Sequence, residues 1–581
     1  MKDKKQKVIK QGFRKQSFRK QSFLRGSAIL VGMVIITKAL GLVYKVPLAN
    51  ILGGTGMGYF SAAYSLYTPV FSLAAAGIPS AMSRLAAENH ALGRYKNLRE
   101  QRRAAFLIFS LLSIFACGLL IAGAALLAGA GKSGIALPLA AIAPSVVFCS
   151  IINVERGYCE GLRNMLPTAL SEIAETVFKL IFGLGLAVKT SQAAMAAFSA
   201  GRTFLGVSCP DPSLAAERSL PLVAAAAIAG SSLASALAGI FIIIGTRLSG
   251  DGLTPEQLKS DPVTDGMGAQ MKRLLKLSLA VSASGFIVTL TGMLDMLTIS
   301  PCIRLCYRRS PETFRRFLDL GVSESQLPAF MYGSYEGMAM LIFGLVPTLT
   351  AMFGKSMLPA LADAKARGRQ SALSSGIRDM LAVSGMIAVP LGLGMAVLAK
   401  PTLELLFPSR TAETAAAAPP LAILGIAVIF YGIALPCFTV LQTMGSPLRS
   451  AGIMAAGAAV KTALDLLLIP QPAIGLSGAA IAELISSALI CALAVRELRL
   501  IGGTAVSPLK SAVRPLYAGL VCAASARLCY DTLAPHLPPT FTLLSAAASG
   551  GIMYFISLYL LCETPKKYIR GIFSKKIEKS T

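Results

Sequence analysis

Crossing the apolar core of a bilayer takes about 20 consecutive, mostly apolar residues in a helix, because that core is about 30 Å thick and a helix rises about 1.5 Å per residue. This 581-residue chain carries fourteen such runs, at 26–49, 58–80, 104–130, 137–155, 167–188, 219–246, 274–298, 331–353, 377–399, 419–441, 451–470, 475–495, 513–532 and 541–561. No water is available at that depth to satisfy backbone amides, so the runs must close their own hydrogen bonds as helices. The expected fold class is therefore all-α, a polytopic membrane protein of about 14 transmembrane helices. Composition agrees, with 54% apolar and 14% charged residues, against about 25% charged in a soluble domain. That excludes the roughly four soluble domains that length alone allows. Proline recurs inside the runs, at Pro47, Pro69, Pro144, Pro347, Pro390 and Pro436, as membrane helices tolerate.

Charge gives the orientation. The chain holds 55 Lys+Arg against 28 Asp+Glu, a net +27. With the N-terminus inside, the inward segments between runs hold 36 of the cations and the outward segments 11. The positive-inside rule then places both termini in the cytoplasm and makes the net charge mostly a topology signal. Residues 1–25 read as a basic cytoplasmic arm of ten cations and one acid, Asp3, and 562–581 as a basic tail. Anionic lipids are the expected partners of both termini, and no nucleic acid is, since the chain has no Trp on which a base-stacking platform could rest. The apolar run after the arm is too long for a signal-peptide core and contains Lys38 and Lys45, so no signal peptide is expected. Only His90 and His536 occur, and the 11 Cys are scattered without a CxxC pair. Neither a metal site nor a cofactor is expected.

An internal repeat organises the runs. Residues 81–94 align with 356–369 at an offset of 275, matching Met82 with Met357, Ala87 with Ala362, Ala91 with Ala366, Gly93 with Gly368 and Arg94 with Arg369, while Glu88 and Asp363 keep the charge. Lys179 and Lys461 correspond at an offset of 282. Six spans separate each pair, as in parallel repeats related by an axis along the membrane normal. The expected domains are the arm at 1–25, an N-terminal six-helix lobe at 26–246, a cytoplasmic linker at 247–273, a C-terminal six-helix lobe at 274–495, two extra helices at 496–561 and the tail.

Two stretches carry the clearest motifs. Gly41 to Tyr59 reads Gly-Leu-Val-Tyr-Lys-Val-Pro-Leu-Ala-Asn-Ile-Leu-Gly-Gly-Thr-Gly-Met-Gly-Tyr, and Ala76 to Glu88 reads Ala-Gly-Ile-Pro-Ser-Ala-Met-Ser-Arg-Leu-Ala-Ala-Glu. The glycine-rich piece follows a helix, so a tight outer turn is expected there and not a nucleotide loop. Together with Glu160–Glu175, Tyr332–Tyr335, Val440–Gly445 and Gly475–Ala480, these stretches resemble the stage V sporulation protein B and polysaccharide-biosynthesis branch of the multidrug/oligosaccharidyl-lipid/polysaccharide exporter superfamily, over roughly residues 26–560. Glu172 stands where relatives usually have Gln, and Glu336 also departs from the pattern. The resemblance implies a non-enzymatic flippase that moves an undecaprenyl-diphosphate-linked saccharide, such as lipid II, from the inner to the outer leaflet of a bacterial cell membrane. The expected partner is that lipid-linked substrate, and the expected state is monomeric.

Ionisable residues inside the runs are the candidate site, because their cost in lipid usually confines them to a protein-lined or watery path. Lys38 and Lys45 stand seven residues apart, close to one helical face, and with Arg84 at the inner end of span two could grip a diphosphate. Snorkelling to the interfaces is the competing reading of the two lysines. Glu172, Glu175 and Lys179 share a face of span five, with Glu175 and Lys179 at i,i+4, as are Lys461 and Asp465 of span eleven. Each set could be a neutralising pair or line the cavity, so Lys179 and Lys461 join the candidate cavity cations. Asp295, Glu336 and Glu483 lack a sequence-local partner and join Glu172, Glu175 and Asp465 as candidates for ion coupling.

No Walker A pattern occurs, so secondary transport by alternating access is expected, with two lobes rocking around a cationic cavity. An ion-coupled multidrug exporter of the same fold is the rival, and the tally of cavity lysines against carboxylates does not separate the two. A non-transporting scaffold has little use for paired intramembrane charges. One outward segment, 301–330, breaks the charge trend with Arg304, Arg308, Arg309, Arg315 and Arg316. Ser310, Pro311 and Gly321 there predict a short amphipathic helix at 311–320 on the outer face, capped by Ser310.

Overall fold

The structure, a computed structural model, describes residues 23–209, 214–250, 253, 257, 265–443, 447–502 and 508–561. Nearly all of the basic arm, the whole basic tail and much of the 247–273 linker lie outside these residues. The described chain is helical, with a single backbone bridge, Phe204 to Val207, outside the helices. It divides into two compact units, Met1–Met296 and Leu297–Thr581.

Among the described residues, eleven helical stretches are long and apolar enough to cross a membrane. The sequence count of fourteen is higher for identifiable reasons. Spans one and two share one 60-residue stretch, Gly32–Ala91. The stretches holding spans five and thirteen are diluted, one by Glu172, Glu175 and Lys179, the other by Lys510, Arg514, Arg527 and Asp531.

Unit 1 begins with α1 (Phe23–Phe71), which kinks where Gly53 takes φ 62°. That positive φ suits a residue without Cβ. The expected glycine-rich outer turn is thus a one-residue break, and helix resumes at once through Gly54, Thr55 and Gly56. A π turn at Ser72–Ala76 leads to α2 (Ile78–Ala91), followed by α3 (Tyr95–Gly129), α4 (Ser133–Ile142), α5 (Ser145–Gly161) and α6 (Leu166–Phe178). A second π turn, Lys179–Gly183, joins α6 to α7 (Leu184–Ser199), and α8 (Ala215–Ser249) follows. Lipid offers no apolar contrast to drive helices together, so close approach of small residues matters. Gly157 and Gly161 of α5 lie against Pro79, Met82, Ser83 and Ala86 of α2. α8 packs against α1, α4, α5, α6 and α7 and is the hub of this unit. Its Gly230 meets Gly183 so closely that an added Cβ would stand 2.6 Å from the Gly183 Cα. The last helix, α9 (Met267–Arg309), contains the division between units.

Unit 2 continues with a 3-10 turn (Pro311–Phe314) and α10 (Arg315–Asp319), then α11 (Leu327–Ser334), a π turn at Tyr335–Ala339, α12 (Met340–Phe343) and α13 (Leu345–Ala366). After these come α14 (Gln370–Val397), α15 (Ala399–Leu406), α16 (Thr411–Thr443), α17 (Pro447–Leu468), α18 (Ser477–Gly502), α19 (Pro508–Leu533) and α20 (Pro539–Leu561). α16 is the hub here, packed against α11 through α15, α17 and α18, with Gly425 tight against Gly392 of α14. The pair α19 and α20 packs on itself and on α14. The segment at 311–319 is helical as expected, although Ser310 caps it without a side-chain hydrogen bond.

The repeat reappears as a backbone motif. α2 ends in a Schellman turn, with Gly93 N bonded to His90 O at 3.3 Å and Arg94 N to Asn89 O at 2.9 Å. α13 ends in the same turn, with Gly368 N to Lys365 O at 3.1 Å and Arg369 N to Ala364 O at 2.9 Å. The glycines sit at φ 72° and 65°, the left-handed conformation this motif requires.

Candidate functional site

Unit 1 holds a polar network at the junction of α1, α5, α6 and α8. Arg156 of α5 is its centre. Its Nε donates to Ser171 Oγ at 2.8 Å and its Nη2 to Glu175 Oε2 at 2.9 Å, while Nη1 lies 3.7 Å from Glu172 Oε1. Ser235 of α8 donates to the other Glu175 oxygen at 2.8 Å. A guanidinium suits this role because its fork binds several acceptors at once. Glu172 and Glu175 face one partner because residues three apart share a helix face.

Lys179, first residue of the π turn, therefore does not pair with Glu175 as its spacing suggested. No ion pair joins them among the described residues. Its Nζ donates to Tyr64 OH at 3.1 Å and lies 5.1 Å and 5.2 Å from the ring centroids of Tyr64 and Tyr44. Tyr64 belongs to the second arm of α1, Tyr44 to the first. Two ring faces and a hydroxyl make the direct contacts that stabilise this half-buried ammonium. Gly183, one turn on, fixes Tyr44: a Cβ there would stand 2.7 Å from its ring. The aromatic line continues through Tyr67, whose hydroxyl accepts from Ser145 at 2.9 Å and whose ring stacks on Phe71.

Lys38, Lys45 and Arg84 are all exposed on unit 1, the lysines on the first arm of α1 and Arg84 on α2. Between the two lysines Tyr44 is turned inward and buried. Asp295 of α9 is buried.

In unit 2, Lys461 of α17 is expected among the cavity cations but is only 1% exposed. Its Nζ lies 3.4 Å from Asp465 Oδ2 and 3.9 Å from Glu483 Oε2 of α18. The i,i+4 pair is present, and Glu483, with no partner nearby in sequence, finds one across helices. Ser487 donates to Glu483 at 3.1 Å. Lys461 is committed to two carboxylates at this depth, and the burial works against direct contact with an anionic headgroup. Glu336 is half-buried on the π turn after α11. Among the described residues no group of His, Cys, Asp and Glu gathers to hold a metal ion.

Two features of unit 1 escaped sequence reading. Arg102 of α3 forms an ion pair with the buried Glu155 of α5 and lies 4.8 Å from the Tyr158 ring centroid. Both Glu155 and Arg156 fall at the end of an apolar run and look like loop charges until the Gly157-Gly161 spacing is seen to bury that turn. The second feature is a carboxamide cluster around a cavity of about 280 Å³, lined by Asn89, Asn97, Gln101, Asp265, Gln270 and Arg273 among others. Asn89 donates to Gln101 at 2.5 Å, Asn97 to Asp265 at 2.9 Å, and Gln270 to Asn97 at 2.5 Å. Asp265 also receives Arg94 at 3.6 Å. The cluster clasps the start of α9 to α2 and α3. The spacing of Asn97 and Gln101, four residues apart on α3, was its sequence signal.

Residues 23–205 match the family described as "Polysaccharide biosynthesis protein". Across 92% of both chains the protein is 23% identical to the uncharacterized membrane protein YabM of Bacillus subtilis (strain 168). It is 24% identical to the stage V sporulation protein B of the same organism, over 79% of this chain and 80% of that one. A shorter match, 26% identical over 27% of this chain and 31% of the other, is to the lipid II flippase MurJ of B. subtilis (strain 168). Among solved structures, an inward closed lipid II flippase MurJ covers 92% of this chain and 98% of its own with TM-score 0.62 at 13% identity. An inward-facing multidrug resistance MATE family transporter of the MOP superfamily gives TM-score 0.58 at 12% identity, over 82% and 98%. The resemblance seen in Gly41–Tyr59 and Ala76–Glu88 therefore holds: the chain is homologous to the stage V sporulation protein B and the lipid II flippase of B. subtilis, and it has the fold that the solved flippase and MATE transporters share.

Proposed function

We propose that this protein is a flippase for a lipid-linked saccharide, with an undecaprenyl-diphosphate carrier as the substrate class. The observation that carries the reading is that four intramembrane carboxylates are held in ion pairs while three cations of unit 1 are accessible at its surface. Glu172 and Glu175 are held by Arg156, and Asp465 and Glu483 by Lys461, while Lys38, Lys45 and Arg84 are exposed. A diphosphate cannot enter an apolar core without partners, and exposed cations on one unit supply them. An exporter of cationic drugs needs available carboxylates in that place, and here four of them are occupied, so the rival is less well supported. The names and folds of the relatives support the same reading.

Several finer features belong to this proposal. Both termini are cytoplasmic in a bacterial cell membrane, the basic arm and tail lie on anionic lipids, and the protein acts as a monomer without catalysing a reaction or holding a cofactor. Lys38 and Lys45 grip the headgroup, Arg84 extends the path inward, and Lys179 lies behind them. Lys461 and the carboxylates of both units act through the packing they hold together. Leaflet-resolved flipping of fluorescent lipid II in vesicles containing the purified protein tests the proposal. Transfer above protein-free vesicles supports it, and transfer no faster than in those vesicles removes it.

A further inference from the structure

Five arginines occupy one short stretch of unit 2. Arg304, Arg308 and Arg309 close α9, Arg315 and Arg316 open α10, and all five are exposed. Between 304 and 319 only Glu312 and Asp319 oppose them. Arg315 reaches Glu312 at 3.3 Å with both side chains largely exposed, and Arg309 donates to Pro470 O at 3.4 Å. Cations therefore outnumber acids on this surface. The stretch is also fixed in place. Phe314 is buried with its ring edge-on to Tyr307 at 6.2 Å, and Phe317 lies 6.0 Å from the Phe330 ring. Beside the arginines, Leu318 is half-buried and Leu320 is 51% exposed, which leaves an apolar edge.

Arginines next to an apolar edge on a short helix are the composition of an element that lies in the interfacial zone of a bilayer. The guanidinium fork matches phosphate oxygens in two-point geometry. We propose that residues 304–320 bind acidic phospholipid headgroups, with the arginines on the lipid phosphates and Leu320 at the boundary of the acyl region. The occupant is lipid because charge and apolar edge occur together, where a soluble anion needs only the charge. That this surface faces outward rests on the charge-based orientation proposed above. Its headgroup preference does not, and neither depends on what the protein transports.

The chain has no Trp, so Leu320→Trp places a single reporter at this edge. The full-length protein is reconstituted into phosphatidylcholine vesicles containing either brominated phosphatidylglycerol or brominated phosphatidylcholine at equal mole fraction. Brominated phosphatidylglycerol is expected to quench about threefold more effectively at low salt, with the preference falling towards parity at about 1 M salt. Replacing Arg304, Arg308, Arg315 and Arg316 with Gln should abolish the preference, and replacing them with Lys should keep part of it. A Phe241→Trp reporter on α8, away from the arginines in sequence, should show no preference in either background and reports whether the variants remain folded. Equal quenching by the two lipids in the parent overturns the proposal, as does a preference that survives in the Gln variant. Loss of flipping with the preference intact removes only the transport reading.

Discussion

The Arg156 guanidinium donates to Glu175 Oε2 at 2.9 Å, and so Glu175 of α6 is paired with a residue of α5 and not with Lys179 on its own helical face. Two consequences follow in unit 1. The acids of span five are both held by a residue that reads in sequence as a loop cation. Lys179 meets tyrosines instead, and its direct contacts are two rings and one hydroxyl.

Breaking the Arg156 pair should destabilise the protein more than its exposure suggests. Arg156→Leu leaves Glu175 in place without its main partner and is expected to cost about 3 kcal/mol. Glu175→Leu should cost a similar amount, and the double variant clearly less than the sum. A double-mutant cycle on thermal unfolding in detergent checks this, and additive losses refute the coupling.

Lys38 and Lys461 should fail in different ways. Lys38→Ala is expected to abolish lipid II flipping at normal protein abundance and Tm, and Lys38→Arg to retain part of it. Lys461→Ala leaves the buried Asp465 and the half-buried Glu483 without the cation they share and should lower stability by about 3–5 kcal/mol. Flipping normalised to folded protein separates the cases. Wild-type flipping by the Lys38→Ala protein removes the exposed-cation model.

Gly183 sets the position of Tyr44. Gly183→Ala puts a methyl 2.7 Å from that ring and should cost about 1–3 kcal/mol through overpacking. Tyr44→Leu, which removes the ring, should recover part of the loss, whereas Tyr44→Phe should not. Equal behaviour of the two second-site variants in a thermal-shift measurement contradicts the contact.

The carboxamide clasp should act locally. Asn97→Leu deletes the hub of the cluster and is expected to cost about 1–3 kcal/mol, since its former partners stay partly buried. Hydrogen exchange should accelerate at residues 265–273 more than in α8. Uniform acceleration would mean that the cluster is ordinary packing.

Orientation can be read by labelling. A cysteine engineered within 190–218 should react with an impermeant reagent from outside, and one within 360–370 only after permeabilisation. The reverse pattern overturns the charge-based topology.

The helices were legible because an apolar run of spanning length has few alternatives in lipid, and each run identified in the sequence falls on helix. Their interruptions were not. Gly53 breaks α1 at one residue, and π turns open at Lys179 and Tyr335. One such site, beside the Gly183–Gly230 approach, is fixed by a pair of helices, which no local window contains. Charge pairing divides the same way. Helical spacing correctly joined Lys461 to Asp465, because both lie on α17 one turn apart. It failed for Glu175 because Arg156 arrives from another helix. The unequal exposure of Lys38 and Lys461 was likewise invisible, since both look alike as lysines in apolar runs.

The two Schellman turns share a backbone and differ in what hangs from it. Asn89, Asn97 and Gln101 at the first turn correspond, at the repeat offset, to Ala364, Ala372 and Gly376 at the second. The backbone turn recurs, and these three amides stand at the first turn alone. At the second turn a single amide does comparable work: Gln370 donates to Ile501 O, at the end of α18, at 3.0 Å. The halves are therefore not interchangeable parts. A circular permutant opened near residue 260, with the second half synthesised first, would keep both turns but turn the covalent tether behind Asp265 into a free end. The same amides would then have to hold a loose terminus in place of a connected one.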